Sequence, residues 1–152
     1  MKWAFYDSDV EIEKRIGSSI ADFFRMQGEA LFREIEAATL NDLLKKKRSI
    51  LATGGGVVLL PTSSQKLHDQ SFVVYLFATP EEVYRRLGRD DRRPLLKVDD
   101  PLDKLRELFT QRDHMYRGVS HVIVPAGAAS TEELIERILS RFESSCDPSL
   151  PL

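Results

Sequence analysis

Residues 72–82 read FVVYLFATPEE, and this stretch decides the fold class. Its first six residues are continuously apolar, which is typical of a strand covered on both faces of a parallel sheet. Thr79, Pro80 and Glu82 then supply a cap, a proline at the first helical position and an acid three residues after the cap. A buried strand followed directly by a capped helix indicates an α/β protein.

The same alternation of strand and helix extends along the chain. Strands are predicted over residues 3–6, 49–53 and 120–124, and helices over 10–17, from 18, over 29–47, 79–88 and 100–117, and from 130. This order predicts a three-layer parallel sheet with flanking helices. Residues 3–144 are predicted to form a single domain, and residues 145–152 a frayed tail.

Composition restricts the partners that we expect. The 152 residues are 42% apolar and 30% charged, as in an ordinary globular domain. A net charge of −2 gives no overall attraction to nucleic acid or to an anionic membrane. No apolar run approaches the roughly 20 residues that cross a bilayer. Cys146 is the only cysteine and cannot form an internal disulfide, so we expect a cytoplasmic protein.

Two carboxylates and three glycines follow the first two predicted strands. In an extended segment Asp7 and Asp9 point the same way and could converge on a hydroxylated substrate or a hydrated Mg²⁺. The alternative is that Asp9 caps the next helix. The glycines Gly54, Gly55 and Gly56 either let backbone approach a ligand or form a flexible turn. Sites in parallel sheets lie beyond the carboxyl ends of the strands, so both groups are expected at one edge.

Several arginines are ambiguous from spacing alone. Arg33 either binds a ligand or is an exposed helical residue paired with Glu29 or Glu36. Arg112 is equally compatible with a salt bridge on a helix surface. The arginines between residues 85 and 93 form either a mobile lid or a solvated helix end.

Five runs together resemble the shikimate kinase family. They are Asp-Ser-Asp at 7–9, Gly-Glu-Ala-Leu-Phe-Arg at 28–33, Thr-Gly-Gly-Gly at 53–56, Arg-Pro-Leu-Leu at 93–96 and Arg-Asp-His-Met-Tyr at 112–116. The match covers residues 3 to about 142. It implies a P-loop kinase-like fold and phosphoryl transfer from ATP to the 3-hydroxyl of shikimate, in chorismate and aromatic amino acid biosynthesis. ATP and Mg²⁺ are the implied cofactors, and a monomer is expected.

The resemblance implies roles for the substrate-binding residues. Asp9 would bind the ring hydroxyls of shikimate and assist as a general base, with Asp7 near the water shell of the metal. Gly55 and its two glycine neighbours would contact shikimate directly. Arg33 and Arg112 would hold its carboxylate, a task that suits the planar guanidinium group.

Two further arginines are implied to act on the nucleotide. Arg93 would belong to a lid of about residues 88–99 and approach the transferring phosphate, and Arg86 would lie near adenine. Positioned cations of this kind stabilise the charge that spreads over a transferring phosphoryl group.

One family motif has no counterpart in residues 1–152. No glycine is followed by lysine, so the chain holds no G-x-x-x-x-G-K-[ST] phosphate loop. We expect that the first strand, this loop and the next helix, on the order of 30 residues, are missing from a longer protein. That strand is central in the family's 2-3-1-4-5 sheet, so its loss would expose strand edges and apolar faces. The chain is then an impaired shikimate kinase, or alternatively a non-catalytic shikimate-binding remnant or interaction module that does not use ATP.

Overall fold

The computed structural model describes residues 2–87, 100–127 and 129–145. The predicted lid at about 88–99, which includes Arg93, and the tail from residue 146 lie outside the described residues. The chain divides into two compact units, Met1–Ser71 and Phe72–Leu152. The prediction of one domain over residues 3–144 stays a prediction.

The first unit consists of two parallel strands and four helices. Strand β1 pairs with β2 in a register that sets Ala4 opposite Ser49 and Asp7 opposite Ala52. The elements are β1 (Ala4–Asp7), α1 (Ser8–Ile16), α2 (Ile20–Gln27), α3 (Glu29–Leu44), β2 (Ser49–Ala52), a 3-10 turn (Val57–Leu59) and α4 (Pro61–Gln70). Its buried apolar residues are Ile12, Phe32, Leu40, Leu43, Val57, Val58 and Leu67.

The helix ends of the first unit follow from single residues. Gly17 ends α1 in the left-handed conformation, with φ 72°, which a glycine adopts without steric cost. Ser19 caps α2, because its Oγ accepts a hydrogen bond of 3.1 Å from the backbone nitrogen of Asp22. The sequence indicated a helix from residue 18 with Ser18 as its cap, so the observed cap lies one residue later.

The second unit repeats the pattern of strand and helix. Strands β3 and β4 are parallel, with Val74 opposite Val122 and Phe77 opposite Pro125. The elements are β3 (Val74–Phe77), α5 (Pro80–Leu87), α6 (Pro101–Val119), β4 (Val122–Pro125) and α7 (Thr131–Ser145). In the family's order 2-3-1-4-5, strands 2 and 3 are neighbours, and so are strands 4 and 5. The observed pairs β1–β2 and β3–β4 agree with this order.

Two expectations about the strands were wrong in detail. The segment 72–77 is not covered on both faces, because Leu76 is 49% exposed. The predicted buried strand at 49–53 carries Ile50, which is 53% exposed and lies opposite Phe5 at 65%. Helix α4, which no apolar pattern had indicated, was not predicted. Within the described residues, no helix combines the length and the apolar character that crossing a bilayer requires.

Candidate active site

Asp7 and Asp9 lie where β1 passes directly into α1. The Oδ1 of Asp7 accepts hydrogen bonds from the backbone nitrogens of Asp9 at 2.9 Å and Val10 at 3.3 Å. Asp7 is thus the cap of α1, and the alternative that Asp9 caps the helix is wrong. The premise of an extended segment is also wrong, since Asp9 belongs to the first turn of the helix. The position of Asp9 is therefore fixed by the helix that Asp7 starts.

The glycine segment after β2 packs against Asp9. The backbone nitrogen of Gly54 donates a 3.1 Å hydrogen bond to the Oγ of Ser8, a residue that is only 6% exposed. A methyl group placed on Gly54 would lie 2.7 Å from the Oδ1 of Asp9. Any larger residue at position 54 would displace the carboxylate. The structure thus brings together the first strand's acid and the second strand's glycines, as the sequence predicted.

Arg33 lies against the same glycine segment. A methyl group on Gly56 would overlap its guanidinium group, 2.9 Å from Nη2 and 3.0 Å from Cζ. The Nη1 of Arg33 donates to Glu36 at 2.7 Å, and its Nη2 donates to Glu29 at 3.0 Å. The alternative reading was correct about these pairs but wrong about exposure, because the Arg33 side chain is only 15% exposed.

Charge and aromatic contacts both stabilise the Arg33 cation. Burial alone would lower the pKa of Arg33, but the hydrogen bonds to Glu36 and Glu29 outweigh it and raise that pKa above its ordinary value. The Cζ of Arg33 lies 6.0 Å from the ring centre of Phe24 and 5.3 Å from that of Phe32. These two rings contact each other at 4.5 Å between centroids. The cation is therefore held in place between carboxylates and aromatic rings.

Arg112 and Arg86 belong to the second unit. The Nε of Arg112 is buried and has no hydrogen-bond partner among the residues that the structure describes. Arg86 donates from Nη2 to the carbonyl oxygen of Ala126, and also to that of Ala129 at 3.3 Å. Arg86 is thereby tied to the segment that follows β4.

A cleft lies beyond the carboxyl ends of β3 and β4. Its volume is about 440 Å³, and it includes Ala129, whose carbonyl oxygen Arg86 contacts. Its wall combines apolar residues with two acids and one arginine: Phe77, Thr79, Glu82, Pro125, Gly127, Ala129, Glu133 and Arg137. Gly127 has no space for a side chain, because a methyl group there would overlap the carboxylate of Glu82. Ligand sites in parallel α/β sheets commonly lie in this position, beyond the carboxyl ends of the strands.

The implied cofactors are Mg²⁺ and ATP, and the residues present match only some of the groups that would hold them. The described residues contain no group of three or more His, Cys, Asp or Glu side chains that could hold a metal ion. One oxygen of Asp7, Oδ1, accepts two backbone hydrogen bonds. The predicted contact of Asp7 to Mg²⁺ through water stays a prediction. The 152 residues contain no G-x-x-x-x-G-K-[ST] phosphate loop.

Sequence reasoning missed three residues that build the site, Ser8, Phe24 and Phe32, and it named Glu36 only as a possible surface partner of Arg33. Glu36 and Ser8 are buried polar residues that hold Arg33 and Gly54, and Phe24 and Phe32 form the wall behind the guanidinium. The spacing of Glu36, three residues after Arg33, was visible in the sequence. Its burial at 5% exposure was not, because burial depends on how α3 packs.

The comparisons with known proteins agree with this fold. A family model described as shikimate kinase matches residues 1–143. A shikimate kinase of Burkholderia pseudomallei (strain 1710b) is 40% identical over 148 residues, which are 97% of this chain and 80% of the relative. One from Paracidovorax citrulli is 44% identical over 142 residues, 91% of this chain and 78% of the relative. The solved shikimate kinase of Acinetobacter baumannii, in complex with shikimate, has a TM-score of 0.89 and 38% identity, and the match covers 95% of this chain and 80% of that one.

The chain is an ATP-dependent small-molecule kinase of the P-loop kinase fold. This class follows from its relatives and agrees with its parallel strands and with the acid and the arginine that lie against one glycine segment. More narrowly, the chain belongs to the shikimate kinase family. The predictions of the fold class and of the family are confirmed.

Proposed function

We propose that this chain binds shikimate as its phosphoryl acceptor, in the site around the glycine segment 54–56. One observation carries the proposal: Asp9 and Arg33 contact Gly54 and Gly56, two residues apart in one short segment. A carboxylate accepts hydrogen bonds from hydroxyl groups, and a guanidinium group binds a carboxylate. The pair therefore suits a small acid that carries hydroxyl groups opposite its carboxylate, which is the chemistry of shikimate.

Each residue then has a separate task. Arg33 binds the substrate carboxylate, and Arg112 is proposed from the family resemblance alone as a second guanidinium for that carboxylate. Asp9 accepts a hydrogen bond from the hydroxyl to be phosphorylated and removes its proton as the new bond forms. Gly54 and Gly56 leave no space for a side chain because Asp9 and Arg33 occupy it, and the backbone of Gly54, Gly55 and Gly56 is proposed from the family resemblance to contact shikimate.

The nucleotide tasks rest on the family resemblance and on the cleft of the second unit. ATP supplies the phosphoryl group, and we propose that the cleft beside Arg86 receives its base. Arg93 is proposed to approach the transferring phosphate. Asp7 is proposed to contact a Mg²⁺ ion through water, using the carboxylate oxygen that does not cap α1.

The activity of residues 1–152 by themselves is a separate proposal. Because these residues contain no G-x-x-x-x-G-K-[ST] loop, we propose that they bind shikimate but transfer phosphate slowly or not at all. Binding without ATP use is the second candidate function, and the same observation favours it. We further propose that the protein is a monomer in the cytoplasm. Its single cysteine cannot form an internal disulfide, which is compatible with a reducing compartment.

Calorimetric titration with shikimate tests the site, and coupled ADP release tests turnover. Changing Arg33 to Ala should weaken shikimate binding about 10- to 100-fold, since charged hydrogen bonds contribute about 1.5–3 kcal/mol. Arg25→Ala is the matched control, because Arg25 is a surface residue that is 76% exposed and paired with Asp22. Asp9→Asn should abolish any shikimate-dependent ADP release. A folded chain that does not bind shikimate, or that binds it equally well without Arg33, would refute the proposal.

A further inference from the structure

The two carboxylates on Arg33 are held very differently. Glu36 lies 2.7 Å from Nη1, and its side chain is 6% exposed. Glu29 reaches Arg33 from the first residue of α3, and its side chain is 62% exposed. One partner is thus part of the interior of the first unit, and the other lies on its surface.

Glu29 binds the guanidinium group of Arg33 through only one of its two carboxylate oxygens. A single oxygen, Oε1, accepts from both Nε at 3.2 Å and Nη2 at 3.0 Å. The Nε and Nη2 hydrogens point in parallel, so this edge can bind both oxygens of one carboxylate. An incoming carboxylate could therefore form two parallel hydrogen bonds where Glu29 shares one oxygen.

We propose that Glu29 is an internal competitor for the carboxylate of the substrate. In the free protein Glu29 occupies the Nε and Nη2 edge of Arg33, and the substrate carboxylate displaces it while Glu36 stays bound. This inference rests on the proposed function, because it assumes that Arg33 is the carboxylate site. It assigns Glu29 a positioning role that sets the affinity for carboxylate ligands.

Because Glu29 is exposed and Glu36 is buried, replacing Glu29 on Arg33 by a substrate carboxylate costs little free energy. Exposed ion pairs contribute little to stability, whereas a buried carboxylate that loses its partner is strongly disfavoured. Glu29 can swing into solvent, and the positive end of the α3 dipole still favours its charge there. While both acids are bound, two negative charges surround one positive charge and repel an incoming anion. Release of Glu29 removes part of that repulsion at the moment of binding.

Shikimate titrations of the 152-residue chain by calorimetry test the inference. Glu29→Gln should lower the dissociation constant about two- to fivefold, the range expected when an exposed ion pair no longer competes. Glu34→Gln is the matched control, because Glu34 is an exposed acid of the same helix and forms no hydrogen bond or ion pair with Arg33 among the described residues. That control should change affinity less than Glu29→Gln does. Equal or weaker binding by Glu29→Gln would overturn the inference.

A spectroscopic measurement separates competition from a general charge effect. The Nε–H signal of Arg33 in a ¹⁵N-labelled sample, assigned with the Arg33→Lys variant, should differ between wild type and Glu29→Gln when both are free. The two signals should converge at shikimate saturation, because Glu29 no longer contacts Arg33 there. Signals that stay apart at saturation would show that Glu29 remains bound and would overturn the inference. Absence of shikimate binding in the folded wild type would instead refute the proposed function, and the inference with it.

Discussion

Gly56→Ala should move Arg33 without straining the backbone. Gly56 has φ −82° and ψ −11°, a right-handed conformation that alanine adopts readily. The added methyl group would nevertheless lie 2.9 Å from Nη2 and 3.0 Å from Cζ of Arg33, and closer still to Nη1. The flexible guanidinium group is the part that must yield, and its 2.7 Å bond to Glu36 is the first contact affected.

The size of the effect follows from these contacts. Loss of the hydrogen bond between Arg33 and the buried Glu36 carboxylate costs about 1–3 kcal/mol. The alanine offsets about 0.4–1 kcal/mol by restricting the unfolded chain. The free energy of unfolding should therefore fall by roughly 0–2.5 kcal/mol. Shikimate affinity should fall more, by about 10- to 100-fold, because Arg33 no longer faces the substrate carboxylate.

Urea denaturation and shikimate calorimetry on the same samples measure both quantities. Gly118→Ala is the matched control, since a methyl group there meets nothing within 4 Å and Gly118 lies in the last turn of α6. That variant should gain up to about 1 kcal/mol of stability and bind shikimate like the wild type. If folded Gly56→Ala bound shikimate within twofold of the wild type, the argument that Gly56 positions Arg33 would be wrong.

Three further changes test the contacts that support the site. Asp7→Ala removes the acceptor for two backbone amides at the start of α1 and should lower the free energy of unfolding by about 0.5–2 kcal/mol in urea; an unchanged midpoint would contradict the cap. Thr39→Val should raise that free energy by about 1 kcal/mol, because the Oγ1 of Thr39 is buried and has no hydrogen-bond partner in the described part of the chain, and a loss of stability would show that the hydroxyl has a partner. Burial opposes the ionisation of Asp113, but hydrogen bonds from Arg117 and Tyr75 outweigh it and lower the pKa of this carboxyl. A lowered folded pKa stabilises the fold above the unfolded pKa of about 3.9, and this contribution is lost as the pH falls through the folded pKa. The stability difference between wild type and Asp113→Asn should therefore be full at pH 6 and shrink at about pH 3, and a pH-independent difference would argue against the ion pair.

Local chemistry explains what could be predicted about the fold. The backbone nitrogen of Thr79 donates to Glu82 at 2.8 Å, so the predicted capping box exists, and that of Ser130 donates to Glu133 at 2.8 Å, at the helix predicted from residue 130. A capping box depends on four consecutive residues and needs no tertiary contact. Helix α4 could not be found in this way. Its sequence PTSSQKLHDQ contains one large apolar residue, Leu67, and therefore no apolar stripe.

The site shows the same division between local and tertiary information. The sequence placed Asp9 and the glycine segment together because carboxyl ends of parallel strands share an edge, whereas only the family resemblance added Arg33. It could not show that Glu36 is buried, since that depends on the packing of α3. Nor could it show that Ile50 is exposed, because an apolar strand reads the same whether or not a neighbour covers it.

The direct passage from β1 into α1 makes the location of Asp9 a matter of chain length. Asp7 ends the strand and Ser8 begins the helix, so no connecting residue is available to absorb a change. One inserted residue between them would turn Asp9 by about 100° around the helix axis and carry its carboxylate away from Gly54. Loops on protein surfaces commonly accept such insertions. At this junction a single inserted residue would displace Asp9, the proposed general base. Length variation among natural or engineered versions of this chain should accordingly avoid the boundary between Asp7 and Ser8.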